Sequence, residues 1–118
     1  MSTVALAPTT ITMNIAGGLA TTSIVTMAMP FEGEITGAYV AVTTAPLGSA
    51  LTADLKIGSN VAAVFSIAAA GTSDEGALSA QASNRKFTKG ALVSLDVSAV
   101  GSSTPGSNMT VAFTVVEG

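Results

Sequence analysis

The sequence predicts an all-β fold, a single-domain antiparallel β-sandwich of about seven or eight strands, with jelly-roll and immunoglobulin-like topologies both open. Three observations lead there. Apolar and small polar residues alternate with period two along most of the chain. Clusters of Gly, Pro, Asn and Ser interrupt that alternation about every ten residues. No long helical period competes with it. At 118 residues the chain encloses one core, in which roughly two-thirds of the unfolded surface is buried.

The first strand is TTITMNI, with Ile11, Met13 and Ile15 on one face and Thr10, Thr12 and Asn14 on the other; Gly17-Gly18 ends it. TTSIVTMAM follows, rich in β-branched residues and closed by Pro30, which cannot donate to a sheet ladder. After PFEGE comes ITGAYVAVTT, stopped by the Ala45-Pro46-Leu47-Gly48 turn. TADLKI then places Ala53, Leu55 and Ile57 inward and Asp54 and Lys56 outward. Gly58-Ser59-Asn60 supplies turn chemistry for a tight hairpin into VAAVFSI, because Gly and Asn tolerate positive φ.

The region AAAGTSDEGALSAQASN is the least regular. Its alanines suit a short helix, but Gly71, Gly76 and the Ser/Thr/Asp cluster favour a long loop or a broken edge strand. From Phe87 the pattern sharpens: ALVSLDVSAV sets Val93, Leu95 and Val97 against Ser94, Asp96 and Ser98. The last strand sets Val111, Phe113 and Val115 against Thr110, Ala112 and Thr114. The sandwich is expected over residues 30–118, with residues 1–29 forming an N-terminal arm or additional strands.

Apolar residues make up 48% of the chain and charged residues only 9%, against about 25% charged in ordinary soluble domains. The surface must consist largely of Ser, Thr, Ala and Gly. Such a surface is poorly protected against association, so it is read as one occupied by partners rather than as an unusually neutral free one. The net charge of −3 argues against nucleic acid, which requires clustered Lys and Arg. Three of the four cations, Arg85, Lys86 and Lys89, fall within NRKFTK, read as a solvated loop.

No stretch has the ~20 apolar residues of a membrane span, and the beginning of the chain lacks the basic and apolar blocks of a secretory signal. The absence of cysteine fits production in a reducing cytoplasm and removes disulfides and thiolate metal sites. With no histidine, the Ser–His and Cys–His nucleophile pairs are excluded. Glu32 and Glu34 share one side of an extended chain, and Asp74-Glu75 lies in a polar loop; both pairs are read as solvated carboxylates. AGGLATTS lacks the lysine of a phosphate loop, and GSSTPGS has no helix behind it. No catalytic residue, cofactor site or metal site is expected, and the protein is not expected to be an enzyme.

Several segments together carry a family resemblance: PFEGEITG at residues 30–37, TAPLG at 44–48, DLKIG at 54–58, FTKG at 87–90, LVSLDV at 92–97 and VGSSTPGSNMTV at 100–111. They resemble a small β-sandwich domain of tailed-bacteriophage virion proteins, found as modules of head and fibre proteins and as free-standing head decoration proteins. The resemblance runs from about Pro30 to Val116. Family members often carry an Asn-Gly hairpin where this chain has Lys56-Ile57-Gly58-Ser59-Asn60, and the stretch from Ile67 to Asn84 matches poorly.

For a short chain with one such domain, the resemblance implies a capsid decoration, or cement, protein. It would bind the outer capsid surface, hold neighbouring capsomers together and partner the major capsid protein as a homo-oligomer, by family precedent a trimer. The candidate contact residues are Met27, Met29, Phe31, Glu32, Arg85 and Lys86, although Met13, Met27 and Met29 are read first as fillers of gaps in the packing. The alternative is a tail or fibre component with host receptor binding, for which the loops Ala68–Asn84 and Gly101–Asn108 are the candidate surfaces. A bacterial surface or matrix subunit is a third class, disfavoured by the missing signal.

Overall fold

The computed structural model describes residues 9–117. Residues 1–8 of the expected N-terminal segment lie outside the described residues, as does Gly118. The described chain is nearly all β, in two antiparallel sheets packed as a sandwich. Its strands are β1 (Thr9–Gly18), β2 (Ile24–Ala28), β3 (Gly33–Thr44), β4 (Leu51–Ile57), β5 (Asn60–Ile67), β6 (Ser73–Glu75), β7 (Ala77–Leu78), β8 (Lys86–Phe87), β9 (Leu92–Ala99) and β10 (Ser107–Glu117). A single 3-10 turn spans Ala82–Asn84.

The first sheet has the order β1-β10-β3-β6, with β8 also paired to β3; the second has the order β2-β9-β4-β5-β7. The seven longer strands follow the alternation in the sequence. The three extra ones, β6, β7 and β8, are two or three residues long and too short to show a period, which is why the expected count of about seven or eight falls below the ten observed.

The alternating faces meet as the core. Met13, Ile35, Ala38, Val40, Val42, Met109, Val111, Phe113 and Val115 from the first sheet face Leu51, Ala53, Leu55, Ile57, Phe65, Ile67, Val93, Leu95 and Val97 from the second, all buried. This continuous apolar layer is what closes the two sheets on each other.

Irregularities keep the register productive. The β3–β10 ladder shifts between Gly37 and Ile35, so one extra residue on β3 returns Ile35 to the inner face beside Ala38. A second shift, between β4 and β5 near Ala62 and Ala63, turns both alanines into the core. The β4–β5 hairpin closes on two residues, Gly58 and Ser59, with Ile57 opposite Asn60. Gly58 takes φ +59°, the left-handed first position that such a tight turn needs. The turn is therefore as short as an Asn-Gly hairpin.

Segment 73–87 closes one side of the sandwich. The chain passes from β6, at the edge of the first sheet, to β7, at the edge of the second. Asp74 is drawn into this seam, its Oδ2 accepting from the Ser66 backbone N–H at 2.8 Å. Gly76 N–H donates to the Ala38 carbonyl and Ser79 N–H to the Ala62 carbonyl. The irregular stretch is thus a broken edge running across both sheets, and the partly exposed Asp74 carboxylate also serves as a structural acceptor; Glu75 is exposed.

Candidate interaction surfaces

Pairing of β8 with the start of β3 brings residues far apart in sequence to one corner. Gly33 lies opposite Phe87 and Glu34 opposite Lys86. Phe87 is buried, and half-buried Phe31 packs on it with ring centroids 5.9 Å apart and planes tilted by 59°, an edge-biased geometry that aromatic quadrupoles favour. Gly33 is required here: a Cβ on it would sit 2.6 Å from the Val116 carbonyl oxygen and 3.1 Å from the Phe87 ring.

Arg85 binds this corner together. Its Nη1 donates to Glu34 Oε2 at 2.7 Å and to the Ile35 carbonyl at 3.1 Å, and its Nε donates to the Ser79 carbonyl at 3.0 Å. The Arg85 side chain is only 18% exposed. The reading of this cluster as a solvated loop is therefore corrected for Arg85, and the reading of a solvated carboxylate is corrected for Glu34; Glu32, Lys86 and Lys89 are exposed. A planar guanidinium serves three acceptors at once, which is what a turn without its own ladder needs.

Arg85→Ala is expected to destabilise the fold by about 1–3 kcal/mol, the cost of removing hydrogen bonds to a charged partner. Arg85→Lys should recover only part of that loss, because an ammonium lacks the fork. Denaturant unfolding measures the loss, and hydrogen exchange over residues 79–87 should show faster opening in both variants.

The remaining candidates are placed as follows. Met27 is half-buried on the inner face of edge strand β2, opposite Val93. Met29, just beyond β2, is 1% exposed and belongs to the core; its backbone is tied to Ala91 and Gly90. Phe31, Glu32 and Lys86 are thus the accessible part of the corner, with Arg85 bracing it.

The two outer sheet faces differ. Across the first sheet, Thr12, Ala112, Tyr39 and Glu75 form a cross-strand row, followed by Asn14, Thr110, Ala41 and Ser73. Tyr39 is 58% exposed. Across the second, Ile24, Asp96, Asp54 and Val64 form a row in which two carboxylates stand directly opposite each other. Lys56 Nζ offsets their repulsion, lying 3.1 Å from Asp96 Oδ2. In these rows the first face carries one charge, Glu75 at its edge, among hydroxyl, amide and small side chains; the second is charged at its centre.

Among the described residues no group of three or more His, Cys, Asp or Glu is placed to hold a metal ion. Sequence reasoning did not single out Tyr39, nor the exposed Leu47 at the tip of the 45–48 turn. An isolated aromatic in an alternating strand is indistinguishable from a core residue until its facing is known.

No protein-family model and no curated protein matches this sequence. Among solved structures the chain is similar to one from the Cyanophage Pam1 capsid asymmetric unit. The two are 11% identical, the match covers 96% of this chain and 85% of that one, and the TM-score is 0.59. The likeness is one of fold, spanning both sheets of the sandwich.

Proposed function

We propose that this chain is a structural protein of a bacteriophage virion, and that its task is to decorate the outer face of the head and hold adjacent capsomers together. The observation that carries the reading is the shared two-sheet fold over 96% of the chain with a chain from a phage capsid. The composition supports it, since 9% charged residues leave a surface of mostly uncharged side chains suited to burial against other proteins. Cementing needs area, shape and repetition rather than reactive groups.

On this reading the partners are the major capsid protein and further copies of the chain, the free protein being a homotrimer made in the host cytoplasm. The corner formed by Phe31, Glu32 and Lys86 supplies contacts to the shell, and Met27 on edge strand β2 supplies a further one. Phe31 offers an aromatic anchor with a rigid backing from Phe87, the arrangement in which truncation costs most at protein interfaces. A mildly acidic chain suits the outside of a DNA-filled shell better than its lumen.

The test is the copy number of the chain relative to the major shell protein in purified particles, by quantitative mass spectrometry. Decoration predicts hundreds of copies per particle and a loss of heat resistance in particles lacking the chain. A few copies per particle would assign it instead to the tail or fibre, with the Ala68–Asn84 and Gly101–Asn108 loops as the receptor surface. Absence from the particle would overturn the virion reading.

A further inference from the structure

The two sides of the sandwich are finished differently. Segment 73–87 covers one. On the other, β1 and β2 end their sheets, and among the described residues nothing pairs with the outer edge of β1. That edge is ten residues long, TTITMNIAGG, with no proline and no charge. Sheet edges are normally protected by shortness, Lys, Pro or a covering segment. β6, β7 and β8 are short and β2 has five residues; among the described residues β1 has none of these protections.

What fits this edge is written in β1 itself. Ile11-Thr12-Met13-Asn14-Ile15 is nearly the same read in either direction. Two copies laid antiparallel about Met13 place Ile11 opposite Ile15 of the second copy and Thr12 opposite its Asn14. Every pair then shares a face, because antiparallel partners whose numbers differ by an even amount have the same parity. On the inner face the half-buried Ile11 and Ile15, which pack against the core from its rim, cover each other. On the outer face a hydroxyl meets an amide.

Charge allows the approach. No charged side chain occurs in residues 1–31, so two copies meet here without repulsion. The central row of the second sheet, with Asp54 facing Asp96, has no such neutrality.

We infer that β1 pairs antiparallel with β1 of a second copy about a two-fold axis through Met13, joining the first sheets of two molecules into one. This inference stands independently of the decoration reading. Where trimers assemble through other surfaces, the same edge links one trimer to the next. A single strand pair buries little area, so association of the free protein is weak and strengthens when copies are held close together.

The absence of native cysteine allows a direct test on the full chain. In Thr12→Cys/Asn14→Cys the two introduced thiols lie opposite each other across the axis, and mild oxidation should give a covalent dimer. In Thr10→Cys/Asn14→Cys the same register leaves both thiols unpaired, and little dimer should form. Equal cross-linking of the two variants would overturn the register.

Sedimentation equilibrium supplies the second readout. The unmodified chain should associate two by two with rising concentration, and Thr12→Lys/Asn14→Lys should weaken that step about tenfold. Thr12→Lys/Asn14→Glu, which sets opposite charges across the axis, should restore it. Because Asn14 also bonds to Met109 and Thr110, Thr12→Lys alone serves as the variant that leaves those bonds intact. Association unchanged by both Thr12→Lys/Asn14→Lys and Thr12→Lys, or that appears only after removal of residues 1–8, overturns the inference; the latter would name the chain's own N-terminal segment as the occupant.

Discussion

Phe113→Ala is expected to lower the unfolding free energy by about 3–5 kcal/mol, the usual cost of emptying a buried aromatic site. Phe113 is fully buried on β10, the strand held between β1 and β3, with Ile11 and Ala38 as its ladder partners. Since β10 is paired on both sides, neighbouring strands cannot close in without breaking two ladders, and the cavity persists. The comparison is Thr110→Ala on the same strand. Thr110 points to the outer face and its hydroxyl accepts from Asn14 at 2.8 Å, so about 1 kcal/mol or less should be lost. Equilibrium denaturation of both variants decides the point. A larger loss from Thr110→Ala than from Phe113→Ala would mean that the side chains of β10 face the other way, since a slip by one residue exchanges the two faces.

Gly101→Ala is expected to cost about 3 kcal/mol, at the upper end for overpacking, because what its Cβ would meet is backbone. That atom would fall onto the Thr104 carbonyl oxygen and lie 2.7 and 2.8 Å from the backbone N and O of Leu47. These groups are already bonded to one another. Leu47 N–H donates to Thr104 O at 2.9 Å, and Ser103 N–H donates to Leu47 O at 2.9 Å. The 100–106 loop and the 45–48 turn are thus a single packed unit at one end of the sandwich, reinforced by Ser49 Oγ donating to the Val100 carbonyl. Gly18→Ala is the control. Nothing lies within 4 Å of its added Cβ, and its melting temperature should stay close to that of the unmodified protein. If Gly101→Ala melts with Gly18→Ala, the loop is free to open and the packed unit does not contribute to stability.

How much of this was legible beforehand differs between core and surface. The inward faces of β1, β4, β9 and β10 could be read directly because a half-buried strand repeats its environment every two residues, and Ala53, Leu55 and Ile57 or Val93, Leu95 and Val97 each sample it three times. The bulge near Gly37 shows where that reading stops: one inserted residue shifts the phase, so Ile35 and Ala38 share the core across an odd separation. Arg85 was equally opaque. Beside Lys86 and Lys89 it reads as part of a basic surface loop, and only the return of β8 to β3 puts Glu34, Ile35 and Ser79 within its reach.

The surfaces depend on facing and neighbours together. Met27, Met29 and Phe31 follow one another at intervals of two, yet Met29 is a core residue while Met27 and Phe31 are half-buried at the rim, because β2 ends one sheet and the chain then turns toward β3. The sequence by itself determined the class of fold, the composition of the core and the exclusion of His- and Cys-based chemistry, since these depend on local alternation and on which side chains exist. Tertiary structure alone decided that β10 lies between β1 and β3, that segment 73–87 covers one side of the sandwich and that β1 ends its sheet among the described residues. Those outcomes rest on pairings between strands up to about a hundred residues apart, whose choice depends on competing burial and hydrogen bonding over the whole chain rather than on any one segment.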